Sequence, residues 1–262
     1  MMYPVFLAVS FFASLAGSIC GIGGGVIIKP VLDAFGIFSV STVSFLSGCT
    51  VLSMSAYNVF KSIVSKNNAI DLTRGTFLGL GAVFGGISGK YLFEIVKGLF
   101  PDANTVGAVQ AAALLIITLG TLLYTVNKSR IRTLSVQSKP ICIGAGLALG
   151  IMSSFLGIGG GPINLVVLFY LFSMPTKVAA QNSLYIILLS QLSSLIISIT
   201  SGTVPEFRVS VLLGMVVLGI LGGMAGRKIN KKISEKHVDK LFLILLVLIM
   251  LICLYNFRRY SV

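Results

Sequence analysis

The groups of this chain best suited to chemistry are backbone N–H groups at a repeated glycine motif. The sequence Gly-Ile-Gly-Gly-Gly occurs at 21–25 and recurs without change at 157–161. Four glycines in five residues interrupt a helix, because each costs about 1 kcal/mol relative to alanine. A helix that begins at such a turn presents unpaired N–H groups and the positive end of its dipole, which favour a bound oxyanion. We therefore predict an anion site at the two turns. Its backbone donors are Gly23, Gly24, Gly25, Gly159, Gly160 and Gly161.

Polar side chains near the turns extend the predicted site. Lys29 follows the first turn in an apolar setting, where a lysine is costly unless it faces a cavity or a partner. Its alternative role is an ion pair with Asp33, four residues further on and therefore on the same helix face. The uncharged candidates are Ser47, Asn164, Gln181, Asn182 and Ser183. A purely structural role also stays open, in which the glycines allow close packing and the hydroxyl of Ser47 bonds to its own helix.

No pattern of residues favours catalysis, a metal site or a cofactor. The single histidine, His237, lies in a basic stretch, and the seven acidic residues show no pairing suited to acid–base work. The four cysteines are scattered through apolar segments without metal-ligand spacing. The turns are not nucleotide loops, because the G-x-G-x-x-G pattern fails at Val26 and Pro162. We therefore expect neither an enzyme nor a bound metal or cofactor.

Composition places these turns inside a membrane. Of 262 residues, 56% are hydrophobic and only 10% are charged, and several long runs carry no charge, which predicts an all-α polytopic membrane protein. The net charge of +13 arises mostly from short connections, so nucleic-acid binding is disfavoured. In hydrocarbon, a non-helical turn survives only where protein buries it or where it lines a wet cavity.

Apolar runs and helix breakers predict five segments in each half of the chain. They are 3–19, 26–37, 40–60, 75–97 and 106–126, then 140–155, 162–174, 178–200, 208–227 and 240–257. The chain then divides into a first repeat (1–127), a linker (128–139) and a second repeat (140–262). The second segment of each repeat is too short to cross about 30 Å of hydrocarbon, which predicts half-helices that meet near the midplane.

A second glycine pattern supports the duplication. Gly-Gly-x-x-Gly at 85–89 is followed by Lys90, and the same pattern at 222–226 is followed by Arg227. Small residues at this spacing let two membrane helices approach closely, so we assign them to packing. We also expect Glu94 to form an ion pair with the lysines at helical spacing on either side of it.

Loop charge predicts the orientation. The connections 61–74, 127–139 and 228–240 are rich in lysine and arginine, and should be cytoplasmic. The connections 98–105 and 201–207 hold acidic residues, and should be external together with both termini. Matching loops of the two repeats then lie on opposite sides, which predicts an inverted-topology repeat in a plasma-membrane protein.

The duplicated glycine motif resembles that of the TauE/SafE family of membrane transporters. The resemblance covers essentially the whole chain and includes Lys29 and Pro30 after the first copy and Pro162 and Asn164 after the second. It implies transport of small sulfur-containing anions, such as sulfite, sulfonates, sulfoacetate or thiosulfate. It also implies a role for Asn182 at the start of the following helix.

These observations predict a secondary transporter that moves a small oxyanion by alternating access. The alternatives are an anion channel, which would not saturate with substrate, and a membrane scaffold subunit, which would have no use for buried glycine turns. The expected partners are the anion and the lipid bilayer. The sequence leaves open H⁺ or Na⁺ as a coupling ion and a homodimer as the assembly.

Overall fold

The computed structural model describes residues 3–65, 70–100 and 102–261. These residues form ten helices. The first five are α1 (Tyr3–Cys20), α2 (Gly25–Phe35), α3 (Val40–Val64), α4 (Leu72–Leu99) and α5 (Ala103–Asn127). The other five are α6 (Lys139–Phe155), α7 (Pro162–Phe172), α8 (Thr176–Thr200), α9 (Val209–Lys232) and α10 (Glu235–Ser261). Within the predicted basic connection 61–74, residues 66–69 lie outside the described ones.

Side-chain caps fix where three of the helices of the first half begin. The Ser39 hydroxyl accepts the backbone N–H of Thr42 at the start of α3. Aspartates do the same work for the next two helices: Asp71 caps α4 and Asp102 caps α5. Each cap satisfies an N–H group that has no partner within its helix, which makes the polar residue before an apolar run a reliable start signal.

The helices α1 and α2 form a re-entrant hairpin. Gly24 lies beside Ser14, where an added Cβ would be 3.0 Å from the Ser14 Cα, and the Phe35 ring lies 6.3 Å from that of Phe6. The helix α2 therefore runs back along α1, so that the start of α1 and the end of α2 lie at the same end of the bundle.

The helices α6 and α7 form a second hairpin of the same kind. The linker that precedes α6 hydrogen-bonds with the end of α7, because the N–H of Leu134 donates to the carbonyl of Tyr170 at 2.7 Å and that of Val136 to Leu171 at 2.9 Å. The start of α6 and the end of α7 consequently lie together. The chain thus enters and leaves each hairpin from one side.

We name the two ends of the bundle by their loops. The acidic-loop end holds the loops 100–102 and 201–208, together with the first hairpin's open end; the Thr42 hydroxyl donates there to the carbonyl of Glu206 at 3.1 Å. The basic-loop end holds the linker 128–138 and the loop 233–234; Asp239 there accepts from Lys128 at 2.6 Å and from Thr176 at 2.9 Å.

The two halves of the chain exchange packing partners. The helix α1 packs on α9, and α4 packs on α6. A Cβ added at Gly222 would overlap the carbonyl oxygen of Phe11, and one at Gly85 would overlap that of Leu147. The prediction that the two Gly-Gly-x-x-Gly patterns serve close helix packing is confirmed. The inverted symmetry of the repeats and their bounds stay predictions.

The outer surface of the bundle is apolar. Large side chains such as Phe12, Ile116 and Leu251 are more than 60% exposed on three different helices. Seven of the described helices are long and apolar enough to cross a membrane: α1, α3, α4, α5, α8, α9 and α10. The prediction of an all-helical, multi-pass membrane protein is therefore confirmed.

Candidate functional site

The two glycine turns contact each other through their backbones. A Cβ added at Gly23 would lie 3.2 Å from the carbonyl oxygen of Gly159, and one at Gly25 would overlap the carbonyl oxygen of Ile158. Val51 and Ile187, near the middle of α3 and α8, pack on the same junction. The short helices α2 and α7 thus begin beside each other in the interior of the bundle, as the sequence predicts.

The conformation of the turns explains why they are rich in glycine. Gly23 has a φ of 74° and Gly159 a φ of 66°, values in the left-handed region that side chains other than glycine rarely adopt. This conformation lets the chain reverse within four residues and return along the preceding helix. The glycine requirement at these two positions comes from the backbone itself.

The neighbours of the turn glycines are mainly other parts of the protein. Gly24 faces α1, Gly160 faces the Ile187 side chain, and Gly161 faces the Ile158 side chain. Of the glycines in the two turns, Gly157 lines the main polar cavity described below. Anion binding by the backbone N–H groups of the other turn glycines stays a prediction, while their close contacts supply a structural role.

Lys29 forms a buried ion pair. Its Nζ lies 2.6 Å from Oδ2 of Asp33, and the two residues are 3% and 5% exposed. Arg259 of α10 donates to the backbone carbonyl of Asp33 at 3.0 Å. This pair was the alternative to anion binding, and it occupies the lysine in this structure. Lys29 lies beside a separate void of about 10 Å³.

The uncharged candidates fall into separate groups. Asn164 donates to the hydroxyl of Ser183 at 3.4 Å beside the second turn. The Ser47 hydroxyl is buried beside Gly25 and has no hydrogen-bond partner among the described residues.

The other two candidates, Gln181 and Asn182, lie towards the basic-loop end. Gln181 accepts from Arg227 at 3.1 Å, and Asn182 accepts from the backbone N–H of Asp71 at 3.1 Å. The predicted site residues therefore surround the turns but do not line one common cavity.

A polar cavity opens between the turns and the acidic-loop end. It has a volume of about 50 Å³, enough for a few water molecules at about 10–15 Å³ each. Helices α3, α4, α6 and α8 form its walls, and Gly157 of the second turn contributes to them. Its polar side chains are Ser44, Lys90, Ser154, Gln191, Ser194 and Ser198.

Lys90 is the cation of this cavity. Its Nζ lies 2.8 Å from Oε1 of Glu94 and 5.1 Å from the centre of the Phe93 ring, so the predicted ion pair of Glu94 is confirmed. The Ser44 hydroxyl is buried without a partner in the described part of the chain, whereas Ser154 donates to Ser194 at 2.8 Å. A lysine and an unpaired hydroxyl beside a small void can bind a compact oxyanion.

Sequence reasoning did not place these residues in the site. Lys90 was assigned to its ion pair alone, and the polar face of α8 was not recognised. Gln191, Ser194 and Ser198 recur at intervals of three and four residues, and this helical spacing in an apolar segment was the available signal.

The cavity is closed towards the basic-loop end. Its floor holds Gly48 and Gln191, where a Cβ on Gly48 would lie 2.9 Å from Oε1 of Gln191. Beyond this floor, Val51 and Ile187 belong to a buried apolar cluster that also contains Leu184. An apolar plug of this kind excludes an anion, because no water or protein donor remains to solvate it.

Paired broken helices and a small polar cavity in an apolar helical bundle define the class of polytopic membrane transporters. The chain belongs to the sulfite exporter TauE/SafE family, whose model matches residues 6–252. The expectation of a transporter rather than an enzyme is therefore confirmed.

Two curated relatives are similar over almost their whole length. The chain is 26% identical to a protein named probable membrane transporter protein YunE of Bacillus subtilis, over 95% of this chain and 96% of the relative. It is 28% identical to probable membrane transporter protein MJ0441 of Methanocaldococcus jannaschii, over 91% of this chain and 90% of the relative. No solved structure gives a significant match.

Proposed function

We propose that this protein is a secondary transporter of small sulfur-containing oxyanions and that the cavity beside Lys90 is its binding site. The observation that carries the proposal is a cation held at the wall of a cavity of about 50 Å³ in the interior of an apolar bundle. A charged side chain in a membrane segment marks a substrate or ion pathway by default. Sulfite, thiosulfate and small sulfonates have the charge and compactness that this site accepts.

The donors around the cavity suit reversible binding. The hydroxyls of Ser44 and Ser198 and the amide of Gln191 can donate to oxyanion oxygens, while Lys90 supplies the charge. Glu94 already shares the Lys90 ammonium group, which limits the net attraction for an anion. A site of this moderate strength can both capture and release its substrate.

One-sided access favours alternating access over a channel. A channel needs a continuous wet path, but the cavity ends at the apolar plug of Val51 and Ile187. The plug packs directly on the glycine turns, so movement of the two hairpins against α3 and α8 would open the opposite side. Coupling to H⁺ or Na⁺ and association as a homodimer stay predictions from the sequence.

Ligand-dependent stability tests the proposal. Purified protein should gain stability with sulfite, thiosulfate or sulfoacetate, since a ligand at 100 times its dissociation constant adds about 2.7 kcal/mol to the free energy of unfolding. Potassium chloride at equal ionic strength is the control. If none of these anions raises the melting temperature and proteoliposomes take up none of them, a scaffold role is favoured; a conductance that never saturates would favour a channel.

We propose in addition that the acidic-loop end faces the outside of the cell, as the distribution of lysine and arginine predicts. Cysteines introduced separately at Asn104 and Ser135, both exposed, report on the two ends in a variant without native cysteines. An impermeant thiol reagent should label the first in intact cells and not the second. The reverse pattern would place the basic-loop end outside.

A further inference from the structure

The residues of the cavity have counterparts at the other end of the bundle. The glycine motifs are 136 residues apart, and the Gly-Gly-x-x-Gly patterns are 137 residues apart. Applying these offsets to the cavity matches Lys90 with Arg227, and Ser154 with Ser18. It also matches Ser194 with Asn58. The counterparts thus include another cation, which lies on α9 at the basic-loop side of the turns.

These counterparts form a closed cluster instead of a cavity. The Nη1 of Arg227 donates at 3.1 Å to the backbone carbonyl of Asn58 and at 3.1 Å to Oε1 of Gln181. The Ser18 hydroxyl donates to Oδ1 of Asn58 at 3.2 Å, and both of these residues are buried. Arg227 of α9 thereby joins α3 to α8 at the place where the other end of the bundle is open.

Arg227 lacks a counterion. In the described part of the chain, no carboxylate lies within salt-bridge distance of its guanidinium, whereas Lys90 is paired with Glu94. The residue that matches Glu94 is Lys231, so the basic-loop end carries extra positive charge. A half-buried cation whose hydrogen-bond partners are neutral oxygens retains its full attraction for an anion.

We propose that Lys90 and Arg227 are the two anion-binding cations of one transport cycle, each serving one side of the membrane. Lys90 holds the oxyanion in the cavity of the present structure. When the bundle opens at the basic-loop end, Arg227 leaves Gln181 and the Asn58 carbonyl and binds the same anion from that side. This inference rests on the proposed function, because it assigns the second binding residue of that same transport path.

Sided transport measurements with charge-removing variants test the proposal. Uptake of radiolabelled sulfite is measured in right-side-out and inside-out membrane vesicles, with the sides assigned by the cysteine labelling above. K90Q should raise the half-saturating sulfite concentration about tenfold or more at the acidic-loop end, the effect of losing a hydrogen bond to a charged group. R227Q should do the same at the basic-loop end. Each variant should change the opposite side by less than about threefold, which is well below that effect.

Matched controls separate this role from a general effect of charge. Lys97 and Lys228 lie close to the two cations along α4 and α9 but are exposed, so K97Q and K228Q should change either affinity by less than about threefold. The conservative variants K90R and R227K keep the charge and should retain most of the wild-type affinity, which shows that a loss in K90Q or R227Q is not a failure to fold.

The outcomes distinguish this inference from the proposed function. Wild-type vesicles that show no saturable sulfite uptake, in a protein that no oxyanion stabilises, overturn the transport proposal itself. Saturable wild-type uptake with unchanged affinities in both glutamine variants overturns only the assignment of the two cations. An equal loss on both sides in R227Q overturns the one-sided role of Arg227 and indicates that it only holds the bundle together.

Discussion

The two glycine hairpins share a sequence, yet matching glycines meet different surroundings. A Cβ on Gly25 would overlap the Ile158 carbonyl oxygen, whereas one on Gly161 would lie 3.4 Å from the end of the Ile158 side chain. The motif is therefore not equally demanding throughout. The close backbone approach depends on how each turn inserts against the other, so a repeated sequence does not impose a repeated set of contacts.

The short helices after the turns differ even more. The helix α2 carries the buried pair of Lys29 and Asp33, while α7 has Leu165 and Phe169 at the matching positions. The second hairpin therefore folds with apolar side chains where the first uses an ion pair. This difference shows that the hairpin itself does not need the charges, since a buried pair is often no more stabilising than apolar residues of similar volume.

The largest expected effect is at the turns. Gly25→Ala should remove the folded, monodisperse protein, because the added methyl overlaps a backbone oxygen and the penalty exceeds the roughly 1–3 kcal/mol of ordinary overpacking. Gly161→Ala should change the free energy of unfolding by about 1 kcal/mol or less, because its φ of −165° is extended backbone that alanine adopts freely. Size-exclusion chromatography and thermal unfolding in detergent compare the two.

Equal tolerance of both alanine variants would contradict the asymmetry of the turns. Equal loss of folded protein would instead mean that the second turn is packed as tightly as the first.

Removal of one charge from the first hairpin should have the next largest effect. Lys29→Met leaves the Asp33 carboxylate buried without its cation, which costs about 3–5 kcal/mol in the free energy of unfolding. The double variant Lys29→Met, Asp33→Leu removes both charges and should recover most of that loss. Chemical denaturation in detergent measures both, and the second hairpin is the natural precedent for the uncharged form.

The same double variant tests whether Lys29 binds the substrate. If the lysine serves only its ion pair, sulfite affinity stays within about threefold, far less than the effect of losing a charged hydrogen bond. A loss of about tenfold or more in the stable double variant would return Lys29 to the anion site predicted from the sequence.

The smallest expected effect concerns the matching serines of α3 and α8. Ser183→Ala removes the acceptor of the Asn164 amide and should cost about 1 kcal/mol. Ser47→Ala should be close to neutral, since the buried Ser47 hydroxyl has no partner in the described ranges. Thermal unfolding of the two variants side by side measures the difference. A cost for Ser47→Ala as large as that for Ser183→Ala would reveal an unrecognised partner of Ser47.

Most of the fold could be predicted from the sequence. The predicted segments 26–37, 75–97 and 178–200 correspond to the helices Gly25–Phe35, Leu72–Leu99 and Thr176–Thr200. Apolar runs of this length can satisfy their backbone groups in a membrane only as helices, and glycine, proline and capping residues mark their ends. The small-residue pattern at 85–89 predicted close packing for the same local reason.

The site could be predicted only in part. The glycine turns were recognised because backbone conformation follows from local residue type. The partner of Lys29 was left between two alternatives, since helical spacing allows an ion pair but does not exclude a cavity. The role of Lys90 was assigned to its own helix, because the serines facing it belong to α3 and α8, far away in the sequence.

The sequence by itself determined the membrane class, the ten helices, the two broken hairpins and the duplication, because each follows from hydrophobicity, chain length and backbone chemistry along one segment. The tertiary structure alone decided that the turns press against each other, that Lys90 faces a cavity and that Arg227 bridges α3 and α8. These features depend on contacts between helices more than 40 residues apart in the sequence. Such contacts are set by the packing of the whole bundle, and no local pattern encodes them.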